Sequence, residues 1–347
     1  MTKNSRIQYL DLVKGLAILL VCIGHAYYIR IGDLGGSVSL DNSVLRKLIY
    51  SFHMPLFMVL CGFFSTTAYQ TAFNRLLRKK FVQLIVPILT CISLSLGMHF
   101  FSGHLSLSLI KAEGIAMLWF LKVLFICYLI VYLFLRITKG NEWFACMLSL
   151  IIVFFIPYSD INSLNWYLFI FWFGIFWRNY YDAYMKNIRS VTFIATFIFV
   201  ISVLLAKATY LEATRWDLIF KSPTQYMIQL VVSLSGAFMV IGSCHFLEKF
   251  FRNHWLPRKV EMIGQYSLGI FVTQYIVLEG FCKKYLLIAP AWTPNIKLYD
   301  FFIAPAIGIL ASITCFYLTR LLAKIDISTI CYLETNISLL EVLDINR

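Results

Sequence analysis

The sequence predicts an all-α integral membrane protein of about ten transmembrane helices with both termini in the cytoplasm. Three observations lead there. First, 60% of the 347 residues are hydrophobic and only 14% are charged, against about 45–50% apolar and about 25% charged in soluble chains. One soluble core cannot hide that excess. Second, about ten apolar stretches meet or approach the roughly 20 residues that span a bilayer. Third, Lys and Arg divide unevenly between alternate sides of those stretches. The composition excludes a disordered chain, a collagenous fibre and a disulfide-rich secreted module. The nine cysteines are scattered without a CxxC pair and are read as small apolar residues; no metal site is expected. The net charge of +13 is assigned to cytoplasmic loops, so no nucleic-acid partner is expected.

The stretches run in order. The first, 8–29, is too long for a cleavable signal peptide and no small-residue cleavage pattern follows it. The second, 48–69, contains Pro55. The basic run Arg75-Leu76-Leu77-Arg78-Lys79-Lys80 precedes the third, 81–101. The fourth is 115–135. The fifth, 143–158, is short and closes on the turn Pro157-Tyr158-Ser159-Asp160. Then come 164–181, 190–208, 224–247, 261–281 and 300–322. With the N-terminus inside, 18 of the 30 basic residues fall on the cytoplasmic side and 10 on the other, while Lys14 and Lys122 lie within spans. An odd span count would break this alternation. Residues 1–324 thus form a single transmembrane domain, and 325–347 a short cytoplasmic tail. The tail is too polar to span, but Ile337-Ser338-Leu339-Leu340 can rest on a membrane surface.

Ionisable side chains inside spans cost several kcal/mol unless paired or hydrated, so each is a functional candidate. The first span carries Asp11, Lys14 and His25. Eleven residues separate Lys14 from His25, a rotation ~20° past three turns and a rise of ~16 Å. The two side chains share one face, and Asp11 can pair with Lys14. Gly15 and Gly24 permit close approach of a backbone or ligand. A cation at one end of such a face and an imidazole deeper down suits a long ligand with an anionic head. Coenzyme A has that form. The same residues admit a plainer reading: a lysine reaching the interface and a histidine bonded to a neighbouring helix.

His53 lies one turn into its span, at the depth of His25, where a second imidazole can orient the first or bind the acceptor. Pro55 frees a backbone carbonyl beside it. Lys122 is expected near the outer face, either stabilising an oxyanion or acceptor anion or snorkelling. Trp119 next to it suits an interfacial belt. Arg75, Arg78 and Lys79 anchor topology and can also meet adenosine phosphates. Glu113 and His99, His104, His245 and His254 are read as loop or interface residues. There is no GxxxxGK[ST], HExxH or GxSxG, so neither a nucleotide-driven pump nor a zinc protease is expected.

Tyr9-Leu10-Asp11-Leu12-Val13-Lys14-Gly15 with Gly24-His25, and Phe52-His53-Met54-Pro55-Leu56-Phe57 with Cys61-Gly62-Phe63-Phe64, together resemble the first two helices of the membrane acyltransferase family 3. The basic run with Pro87, Trp119-Phe120-Leu121, and Gly264-Gln265-Tyr266-Ser267-Leu268-Gly269-Ile270 are similar to later landmarks of that family. The resemblance covers roughly residues 6–324. It implies ten membrane helices, an acyl-CoA donor (usually acetyl-CoA) and an acceptor hydroxyl on a surface polysaccharide, lipopolysaccharide or lipid-linked sugar. His25 matches the family's essential histidine. Lys14 matches a basic position often held by arginine, giving a point charge in place of a bidentate fork. Gln274 stands near a late histidine of many members, and an amide does not titrate. Some relatives add a soluble esterase-like domain, for which 347 residues leave no room, so the chemistry is expected within the membrane.

The expectation is an O-acyltransferase of the cell (inner) membrane. His25 and His53 would be catalytic. Lys14, Arg75, Arg78 and Lys79 would hold acyl-CoA, Lys122 and Trp119 would serve substrate or oxyanion, and Asp11 would support Lys14. The alternative is a multi-pass transporter or flippase for a glycan or lipid intermediate, since intramembrane Asp, Lys and His also serve ion pathways. Coenzyme A binding separates the two.

Overall fold

The computed structural model describes residues 7–31, 43–65, 70–101, 106, 118–155, 164–205, 222–251, 253–282 and 296–324. The turn at 157–160, Glu113, His104 and the tail 325–347 lie outside the described residues. Among the described residues regular structure is helical, with no strand.

Helix α1 (Gln8–Ile31) has Asp11 in its first turn, where a carboxylate complements the helix dipole. Helix α2 (Val44–Phe63) starts at Ser43, whose hydroxyl accepts the Arg46 backbone N–H at 3.1 Å. Helix α3 (Phe73–Lys80) passes through a π turn (Phe81–Ile85) into α4 (Val86–Phe101). Pro87 follows that turn. It offers no N–H and crowds the carbonyl four residues back, and a widened turn is one way a helix absorbs this.

Next come α5 (Trp119–Ile137), α6 (Glu142–Phe154), α7 (Leu164–Asn179), α8 (Tyr181–Lys186), α9 (Ile188–Leu205) and α10 (Pro223–Phe251). The expected ninth span is divided. Helix α11 (Trp255–Gln265) stops at Tyr266, and α12 (Ser267–Gln274) continues as a π segment (Tyr275–Cys282). A short α13 (Ile296–Leu298) and a π turn (Tyr299–Ile303) lead into α14 (Ala304–Lys324). Seven of the ten expected spans coincide with helices long and apolar enough to cross a membrane. The other three fall on α6, α7 and the α12 segment, which are shorter. The chain is a multi-pass membrane protein.

Helix α1 is the core of the bundle. It packs against α2, α10, α11, α12 and α14, and Val13, Ala17, Ile18, Val21 and Cys22 are wholly buried. Its closest partner is α11: a Cβ on Gly15 would lie 2.0 Å from the Val260 carbonyl oxygen, and one on Gly264 would lie 1.9 Å from that of Asp11. Only glycine permits this contact, because the two backbones touch. Helix α9 shows the opposite pattern. Phe193, Phe197, Leu204 and Leu205 are exposed on it, as a face turned to lipid requires.

Candidate active site

A cavity of about 100 Å³ opens between α1, α2, the α3–α4 π turn, α5 and the α11–α12 junction. Asp11 and Lys14 line it from α1, Lys80 from the end of α3 and Gln83 from the π turn. Phe57, Leu60, Cys61 and Phe64 of α2 form a second wall, and Phe120, Leu121, Leu124 and Tyr128 of α5 a third. Gly264, Gln265, Ser267, Leu268 and Phe271 close it. Charge gathers at one end and apolar side chains fill the rest.

The two lysines are held in similar ways. Lys14 Nζ lies 3.5 Å from Asp11 Oδ1 and 4.5 Å from the centre of the Phe64 ring. Lys80 Nζ lies 3.8 Å from the centre of the Tyr128 ring. An aromatic face stabilises a cation that has lost part of its water. Lys80 is buried, whereas Arg75 and Arg78 are exposed on α3 and Lys79 is half-buried. The basic run therefore contributes to the cavity through its last member. The signal was in the sequence: Leu76, Lys80 and Leu84 recur every four residues, and all three are buried on one face.

The contact between Lys14 and Phe64 fixes the register of antiparallel α1 and α2. Eleven residues along α1 from Lys14 is His25, and eleven residues back along α2 from Phe64 is His53. The two imidazoles therefore sit at one depth. His25 is half-buried and His53 buried. His53 Nδ1 lies 2.8 Å from the Ile49 carbonyl oxygen. A carbonyl only accepts, so Nδ1 carries the proton and Nε2 of the neutral ring has a free lone pair. The Tyr50 ring packs on His53 at 4.8 Å, and the Arg46 guanidinium lies 4.4 Å from the centre of the Tyr50 ring. Arg46, expected in an outer loop, is buried in the first turn of α2.

The carbonyl freed by Pro55 is that of Ser51, and the Ser233 hydroxyl donates to it at 2.7 Å. The polar spot beside His53 is thereby filled by α10. Asp300 was not singled out in the sequence, and nothing local marks it. Its carboxylate accepts from the Ser43 hydroxyl and the Val44 N–H, and its backbone carbonyl accepts from the Tyr27 hydroxyl at 2.7 Å. It thus ties α14 to the ends of α1 and α2 that carry the histidines. Gln274 is wholly buried. Its amide nitrogen donates to the Phe271 carbonyl at 3.3 Å, while its Oε1 has no hydrogen-bond partner among the described residues.

The structure does not bring every expected residue to the cavity. Neither histidine is among the described lining residues, nor are Lys122 and Trp119. Lys122 is half-buried near the start of α5, and Trp119 is exposed with its ring 5.5 Å from that of Tyr167. The cavity ends at Phe57, one helical turn short of His53.

Comparison with known proteins gives this geometry its context. The acyltransferase-domain family model matches residues 7–321. The chain is similar to nodulation protein NolL of Sinorhizobium fredii, with 31% identity over 159 residues, 43% of this chain and 42% of that protein. It is also similar to nodulation protein NolL of Mesorhizobium japonicum, with 29% identity over 158 residues, 44% of this chain and 42% of that protein. The matched region thus spans under half the length of these curated relatives. No solved structure matches the chain. A match over nearly the full length, landing on the helices that build the cavity, places the chain in acyltransferase family 3.

Proposed function

We propose that the chain moves an acyl group, acetyl in the first instance, from acyl-CoA to a hydroxyl of a cell-surface polysaccharide or lipid-linked sugar. It acts from the cell (inner) membrane, with ten spans and both termini in the cytoplasm. One observation carries this reading: a cavity cationic at one end and apolar along its length stops one helical turn below a pair of histidines. Its volume of about 100 Å³ suits the end of a pantetheine arm. The nucleotide would stay at the mouth. There Lys14 and Lys80 meet its diphosphate, and Arg75, Arg78 and Lys79 draw it in along the exposed face of α3. Asp11 holds Lys14 in place.

His25 is the half-buried member of the pair and takes the proton of the acceptor hydroxyl. The oxygen attacks the thioester carbonyl, the carbon–sulfur bond breaks, and the proton on His25 passes to the departing thiolate. The products are the sugar ester and free coenzyme A. The bond to Ile49 orients the His53 ring, which offers Nε2 as a second basic nitrogen. Lys122 stabilises the oxyanion, and Trp119 offers a face for a sugar ring.

The experiment is transfer of radiolabel from acetyl-CoA to cell-envelope glycans by the purified protein in lipid. His25→Ala and His53→Ala should lose label transfer while still binding coenzyme A. If His25→Ala transfers label as well as the unmodified protein, the assignment is wrong.

A further inference from the structure

We infer that Phe57, Phe120 and Phe271 set the length of acyl group the protein accepts. The inference rests on the acyl-CoA reading above. Along each helix these three are the lining residues farthest from Lys14 and Lys80. Their rings meet across the cavity end, Phe57 to Phe120 at 6.3 Å and Phe120 to Phe271 at 5.8 Å between centroids. A thioester fed from the cationic end points its acyl carbons at this wall.

The side chains level with the wall and just past it, Val21 and Cys22 of α1 and Leu56 of α2, are wholly unexposed, and well-packed interiors resist added methylenes. Phe120 is itself held in place. Leu118, two residues before it, is buried with φ 49° and ψ 37°, the left-handed region that favours glycine. The Tyr167 ring packs on Phe120 from α7 at 6.3 Å. An acetyl group ends at its methyl carbon. A butanoyl group carries two further methylenes into the rings.

The test measures kcat/KM with acetyl-CoA and butanoyl-CoA for the full chain in lipid and for Phe57→Ala, Phe120→Ala and the milder Phe57→Leu and Phe120→Leu. The ratio of the two substrates is the readout, so a smaller folded fraction cancels. The unmodified protein should favour acetyl by about 100-fold, the discrimination one or two methylenes can give. The alanine variants should bring the preference below about 10-fold, with the leucine variants between. An unchanged ratio in variants that still use acetyl-CoA overturns the role of the rings and leaves the donor reading standing. Failure of the unmodified protein to use any CoA thioester overturns both.

Discussion

Asp300 Oδ2 accepts the backbone N–H of Val44 at 2.9 Å, capping a helix that begins 256 residues earlier in the chain. The same carboxylate takes the Ser43 hydroxyl and, at 3.5 Å, the Leu45 N–H. The first turn of α2 leaves N–H groups without intrahelical partners, and here a buried carboxyl group accepts from them. Asp300→Ala removes the acceptor from those donors and from the buried Ser43 hydroxyl. The expected loss is about 2 kcal/mol of stability, read as a lower thermal midpoint in detergent. Asp300→Asn, which keeps one oxygen, should lose less.

Lys80 and Arg75 belong to one basic run but occupy different surroundings, one buried against Tyr128 and one exposed. Lys80→Met should raise KM for acetyl-CoA about tenfold, in keeping with the ~1.4 kcal/mol expected of one desolvated cation, with little change in kcat. Arg75→Ala should act more weakly, and its effect should vanish at high salt because exposed charges are screened. Steady-state kinetics at two ionic strengths distinguishes the two lysine and arginine sites.

Gln274 buries an amide oxygen that has no hydrogen-bond partner among the described residues. Such an atom costs ~1–3 kcal/mol. Gln274→Met keeps the length of the side chain and removes the orphan. It also gives up the bond to Phe271, so a net gain of about 1 kcal/mol in stability is expected by thermal unfolding. A drop in the midpoint would show that the amide is needed for packing.

Gly15 and Gly264 each face a backbone oxygen at a distance no Cβ tolerates. Gly15→Ala or Gly264→Ala should force α1 and α11 apart and abolish folded protein in membranes. Gly97, where a Cβ would meet no described atom within 4 Å, should accept alanine without loss. Fluorescence size-exclusion profiles of the three variants check this.

Much of the fold was legible because apolar length is a strong signal. Seven spans matched helices of sufficient length. The ninth span was not read correctly at its start. Residues 255–265 carry Arg258, Lys259 and Glu261 among apolar neighbours, and the break at Tyr266 follows no proline. That helix owes its place to the glycine contact with α1, which a hydropathy reading does not register. The depth of His25 and His53 followed from counting residues, and the Lys14–Phe64 contact gives the same register. Arg46 and Lys80 fall just outside the apolar stretches 48–69 and 81–101. Both lie over tyrosine rings, Tyr50 and Tyr128, contributed by helix faces whose partners no local pattern declares.

The meeting of α1 and α11 at Gly15 and Gly264 stiffens one flank of the cavity. Where main chain rests on main chain, nothing can rotate aside to make room, so that flank is an anvil. The opposite flank offers the Tyr128 ring of α5 and the Lys80 ammonium group at the end of α3, which can turn on their own bonds. A bulky guest arriving at the lysines must therefore be admitted by motion on the α5 side, with the first helix standing still.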